Sequence, residues 1–149
     1  MIEIDDALCA SLAADSVIVA MLGSAAISAQ WPEENAKYSD VPTGDVDYSV
    51  LPPVDPPRAR ITTILISPSE DNDTPVHDDD HQIDIWSRSP RLNAALAHRV
   101  RLTLHRKPLF PDGIRVTETS CTYGPPLYEP DTRIHHQVMF CHVTWTGPA

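Results

Sequence analysis

Glycine is scarce in this chain, with five residues in 149. No glycine-rich phosphate cradle is present, and no GxSxG elbow presents a nucleophilic serine. Cysteine is scarcer still. Cys9, Cys121 and Cys141 are odd in number and show no CxxC spacing. That excludes a disulfide framework and fits small buried thiols in a reducing compartment. Cys121 and Cys141 could face each other across a hairpin, but a native bridge is not the expectation. No basic residue precedes Lys37, and the net charge is −10. Phosphate binding needs surplus Lys and Arg, so a general nucleic-acid binder is excluded. The longest plain apolar run, Val17 to Leu22, falls far short of the about 20 residues of a membrane span. The acidic opening MIEIDDALCA lacks the basic start and apolar core of a signal peptide. The expectation is a soluble protein made in the cytoplasm, with no membrane partner.

Proline is abundant instead. Six of the 15 prolines lie between Pro32 and Pro57. A stretch this long without regular structure is uncommon in a compact domain and is usually functional. Charge is abundant but sorted. Arg88, Arg91, Arg99, Arg101, Arg106 and Lys107 form a basic block with no acid inside it. Such asymmetry has two readings. The block pairs with acids of its own fold, or it meets an acidic surface on another copy.

The local patterns are clear around this block. In His81–Ser87, apolar and polar residues alternate, the mark of a half-buried strand. Ser89 offers an N-cap hydroxyl and Pro90 suits a first helical turn. Leu92, Ala95, Leu96, Val100 and Leu104 then form one helical stripe. Upstream, Ile4, Leu8 and Leu12 predict a helix over 4–14. Asp15 caps a short second helix that Gly23 stops. Ala26–Trp31 reads as a short strand, and Asp47–Val50 as an edge strand. Arg60–Ser67 is β-branched and strand-forming. Pro68–Asp80 reads as an acidic loop. Pro108 and Pro111 close the helix region. Ile114–Tyr123 reads as a strand, Gly124–Pro130 as a turn-rich connection, and Arg133–Thr146 as a final strand apolar on both faces. The order predicts an α+β fold: a largely antiparallel sheet, helices packed on one face and a long proline-rich loop, in a single domain over 1–149.

Candidate chemistry is thin. His77-Asp78-Asp79-Asp80-His81 reads as a solvated loop or, alternatively, as a divalent-ion site. A small metal-dependent enzyme using His77, Asp79 and His81 is therefore one alternative. His135, His136 and His142 on the last strand read as satisfied core or interface histidines. His98, Arg101 and His105 share a helix face that suits solvent or interface contact. Trp31, Trp86 and Trp145 are scattered and read as core or interface anchors. An exposed Trp86 would be an interface candidate. No catalytic residue, metal ligand or cofactor is assigned.

In order along nearly its whole length, the chain resembles the tail-completion family of long-tailed bacteriophages, also called tail terminators or tail-to-head joining proteins. The resemblance rests on Leu8 and Leu12 followed by Ala14-Asp15-Ser16-Val17, and on HQIDIWSRS from His81 to Ser89. It continues through Ala94–Val100 with Leu104, then Gly113-Ile114-Arg115-Val116 and the strand from His136 to Val143. Pro90-Arg91 stands where the family commonly has glycine. The resemblance implies a structural virion protein with no catalysis. It implies a homo-oligomeric ring, commonly a hexamer, that terminates the tail tube and joins the tail to the head-side connector. DNA would pass through the ring without specific binding, and assembly would occur in the host cytoplasm. A head-closure or connector neck protein is the nearest alternative, and a monomeric binding module another. Ring contacts need two unlike patches on one subunit. The expected pairing sets Arg88, Arg91 and Arg101 against Asp78, Asp79 and Asp80 of a neighbour.

Overall fold

The computed structural model describes residues 2–67, 76–109 and 114–146. Glu70, Asp71 and Asp73 of the expected acidic loop, with Pro111 and Gly113, lie outside the described residues. The chain opens with α1 (Ile2–Ala13) and α2 (Ser16–Leu22). Asp15 caps α2, accepting the amides of Val17 and Ile18 at 3.0 and 3.2 Å. Its second oxygen accepts from Arg99 Nε at 3.0 Å and Thr103 Oγ1 at 2.7 Å. Burial alone would raise its pKa. Thr103, Arg99 and the Ile18 amide outweigh that and hold it below the ordinary carboxylate value. One residue thus starts α2 and docks it on the helix α3 (Pro90–Leu104).

Gly23 ends α2 in the left-handed region at φ 85°. A Cβ there would lie 2.5 Å from Val54 Cγ2. Conformation and space therefore both call for glycine. The proline-rich stretch wraps this helix end. Val54 N–H donates to Gly23 O and Arg58 N–H to Leu22 O. The buried Arg58 guanidinium donates to Ala20 O and Pro52 O. A cation on the last carbonyls of a helix is favourably placed. The edge strand expected at Asp47–Val50 is instead a 3-10 turn, Tyr48–Val50. Asp47 accepts the Ser49 amide at 3.0 Å, and that local bond wins over strand pairing.

The strands are β1 (Ile27–Ser28), β2 (Ala59–Ser67), β3 (Val76–Ser87), β4 (Arg115–Glu129) and β5 (Ile134–Thr146). They form one sheet in the order β1-β2-β3-β5-β4. Among the described residues only the short β1–β2 pair is parallel. β3 and β5 run side by side from Val76↔Thr146 to Ser87↔His135. The expected turn-rich connection Gly124–Pro130 is mostly strand, since β4 runs on to Glu129. A register shift between Tyr123 and Pro126 admits the prolines. Bulges and prolines are tolerated together on an edge strand.

Alternation sorts the strands onto two faces. Ile61, Ile83, Ile85, Met139, Val143 and Trp145 share one face and one cluster with the helices. Ile4, Leu8 and Leu12 of α1, Ile18 and Leu22 of α2, and Leu92, Leu96, Val100 and Leu104 of α3 complete it. The fold is α+β, with its helices on one face of a mostly antiparallel sheet.

Candidate functional site

The opposite, helix-free face carries the even-numbered residues of β3 and β5. Asp78, Asp80, Gln82, Asp84 and Trp86 on β3 lie opposite Thr144, His142, Phe140, Val138 and His136 on β5. At the exposed end, His142 Nδ1 lies 2.7 Å from Asp80 Oδ1 and Nε2 lies 3.1 Å from Asp78 Oδ1. Both ring nitrogens meet carboxylates, so the doubly protonated ring suits the site. The Asp80 hydrogen bond raises the His142 pKa most; burial opposes it, and Asp78 adds to the rise. The Thr144 hydroxyl, donating at 2.7 Å, and then His142 hold Asp78 below its ordinary value.

Deeper along the face the polar groups are buried. Asp84 is fully buried, and its Oδ1 meets His136 Nε2 at 2.5 Å and Gln82 Nε2 at 2.8 Å. Trp86 stacks on His136 with centroids 3.8 Å apart and donates Nε1–H to Thr62 Oγ1 at 3.0 Å. Trp31 packs edge-on against Trp86 at 5.2 Å. Tyr38, Trp86 and Ile134 make a second small core here. An open groove of about 840 Å³ runs between residues 31–38 and the β4–β5 turn. Glu33, Glu34, Glu129 and Asp131 are among its lining residues. Around this polar ladder Ile64, Ile66, Leu127 and Phe140 are exposed.

The expected acidic loop is strand from Val76 onward, and period two separates its acids. Asp78 and Asp80 reach the helix-free surface. Asp79 does not: it is 2% exposed and accepts Trp145 Nε1–H at 2.9 Å. Its expected place at a subunit contact is therefore corrected. His77 stacks on Trp145, and His81 is buried with Nδ1 2.8 Å from Asp5 Oδ1. The side chains of His77, Asp79 and His81 are thus engaged with Trp145 and Asp5. Among the described residues no three His, Cys, Asp or Glu gather around a common metal position.

Trp86, an interface candidate only if exposed, is 6% exposed. Trp31, which packs against it, reaches solvent, at 55%. Arg88 is half exposed, 3.8 Å from Asp40. Arg91 is exposed in the first turn of α3, in a concavity shared with Asp45 and Asp47. Arg101 is committed to its own subunit. Its Nε–H donates to Cys121 O at 3.1 Å, and its guanidinium lies 6.0 Å from the Tyr123 ring centroid. His105 accepts the Cys121 amide on Nδ1 at 3.0 Å. That bare Nδ1 puts the proton of the neutral ring on Nε2, so the Arg101 contact at 3.3 Å is not a hydrogen bond. Burial, then Arg101 and Arg106, lower the His105 pKa. The end of α3 thereby covers the outer edge of β4. Nothing in the helix pattern signals this, because the partner strand is remote in sequence. The exposed apolar residues were also illegible, since Arg60–Ser67 alternates apolar residues on both faces.

Residues 6–145 match the family described as tail completion protein gp17. The chain belongs to that family. As a member it is a structural protein of the phage tail. A chain of the solved structure titled "Virion of native gene transfer agent (GTA) particle" shares its fold, with a TM-score of 0.65 at 14% identity. The likeness covers 96% of this chain and 94% of the other. No curated protein matches the chain. Among the described residues no helix of this tail completion protein is long and apolar enough to cross a membrane.

Proposed function

We propose that this tail completion protein acts as a single domain that assembles into a homo-oligomeric ring, a hexamer, at the head-proximal end of the tail tube. The ring ends the tube and offers its other side to the head-side connector. The observation that carries this reading is the separation of unlike patches within one subunit. Asp78, Asp80 and the exposed Ile64 and Phe140 lie on the helix-free face of the sheet. Arg91 lies exposed at the start of α3, on the helix side. Unlike patches on opposite sides favour head-to-tail contacts, which close into rings when the rotation permits. An excess of acids around a channel would let DNA pass without adhering. On this reading the chain assembles in the host cytoplasm and ends in the virion neck. A neck protein on the connector side is the rival. It would bind the portal-side adaptor and leave tail-tube protein alone.

Native mass spectrometry with and without tail-tube protein tests the reading. The wild-type chain is expected to form one closed ring and to bind tube ends. Arg91→Glu and Phe140→Asp each alter one patch at an exposed position. Both are expected to weaken the ring while leaving the circular dichroism of the subunit unchanged. Full rings from both variants at ordinary salt would overturn the proposed contact.

A further inference from the structure

Cys121 and Cys141 are cross-strand partners on β4 and β5. Both are free thiols and fully buried, and their sulfurs lie 3.3 Å apart. The backbone of Cys121 decides what kind of pair this is. Its N–H donates to His105 and its C=O accepts from Arg101, so both groups point out of the sheet edge toward α3. Cys121↔Cys141 is therefore a non-hydrogen-bonded pair. Such pairs bring Cα atoms closest, to about 4.5 Å, within the roughly 4.4–6.8 Å that a disulfide spans. Closing the sulfurs to about 2.05 Å needs side-chain rotation and no shift of register.

We propose that this pair is a modification site, a dithiol that a low-molecular-weight disulfide converts into a cross-strand bond fixing edge strand β4 to β5. The Cys121 thiolate attacks one sulfur of the small disulfide. That S–S bond breaks and one small thiolate leaves. Cys141, as thiolate, then attacks Cys121 Sγ and expels the second small thiolate. The two cysteines lose two electrons, which reduce one small disulfide to two thiols. Their two protons end on those thiols. The hydrogen bond with Cys141, then Arg101 against the opposing effect of burial, favours thiolate on Cys121, which suits it as the first attacker. Both sulfurs are sealed, so the oxidant enters when the β4 edge lifts. Edge elements open locally without global unfolding. Inside a cell the small-thiol pool keeps such a pair reduced, and outside it does not. A virion protein travels from one condition to the other. That consequence rests on the tail reading; the chemistry of the pair does not.

The test uses the folded chain with Cys9→Ser, incubated with oxidised glutathione at neutral pH without denaturant. The expected product is lighter by two hydrogens, keeps no glutathione and yields one linked peptide containing Cys121 and Cys141. Its Tm should rise on the order of 5–10 °C. Adding Cys141→Ser should trap glutathione on Cys121. If Cys9→Ser folds poorly, peptide mapping of the wild-type chain gives the same readout. Two thiols still reduced in a native-like chain would overturn the proposal. So would a lasting glutathione adduct on the two-cysteine chain, or a link between two molecules. Absence of the chain from purified particles would instead sink the tail reading and leave the linked peptide standing.

Discussion

Met139 is fully buried against the helices, whereas Phe140, the next residue of β5, is 38% exposed on the other face. The same contrast runs along β3. Asp79 and His81 point into the helix side, and Asp78 and Asp80 point away from it. One face is an apolar core in which Asp79, His81 and Thr63 meet Trp145, Asp5 and Cys9. The other is a ladder of carboxylates and histidines with apolar residues left open around it. The first face holds the subunit together. The second has apolar surface to offer, which is the form expected where a neighbour completes the burial.

Truncation breaks this contrast most directly. Met139→Ala or Leu96→Ala should lower unfolding free energy by about 2–5 kcal/mol. Phe140→Ala should cost less than about 1 kcal/mol in the isolated subunit. Urea denaturation of the three variants checks this, and equal losses at 139 and 140 would abolish the distinction between faces. Next in size is a comparison within the open face. Asp84→Ala leaves His136 and Gln82 without their buried acceptor and should cost about 1–3 kcal/mol. Asp78 is half exposed, so Asp78→Ala should cost about 0–1 kcal/mol. Equal costs would mean that depth along the ladder does not matter.

The smallest effect is one of sign with pH. His142 has a raised pKa, so its pairing stabilises fully below the ordinary histidine value and fades as pH rises through the raised one. His105 has a lowered pKa. Its contribution is present above the ordinary value and is lost as pH falls toward the lowered one. Ring-proton NMR should therefore find the two histidines titrating on opposite sides of the free value. Both on one side would contradict the assigned hydrogen-bond roles.

Much of this was legible beforehand. Ser89-Pro90, Asp15 and Gly23 marked helix ends correctly because caps act within a few residues. In the stripe Leu92, Ala95, Leu96, Val100, Leu104 the four large residues are buried and Ala95 partly so, because helical period is a local property. The pattern HQIDIW marked a strand, yet the preceding run of acids hid that the strand begins at Val76. Like charge suggested solvent, and the pairing of β3 with β5 prevailed.

Sequence alone determined the three helices with their caps, the strand at 60–67, the family resemblance and the concentration of positive charge on one helix. Tertiary structure decided that Asp79 goes inside while Asp78 and Asp80 stay out. It decided that Trp31 covers Trp86, and that Arg101 and His105 serve the edge of β4. Periodicity says which residues share a face. Which face the helices cover depends on contacts between segments far apart in the chain, and no local pattern carries that information.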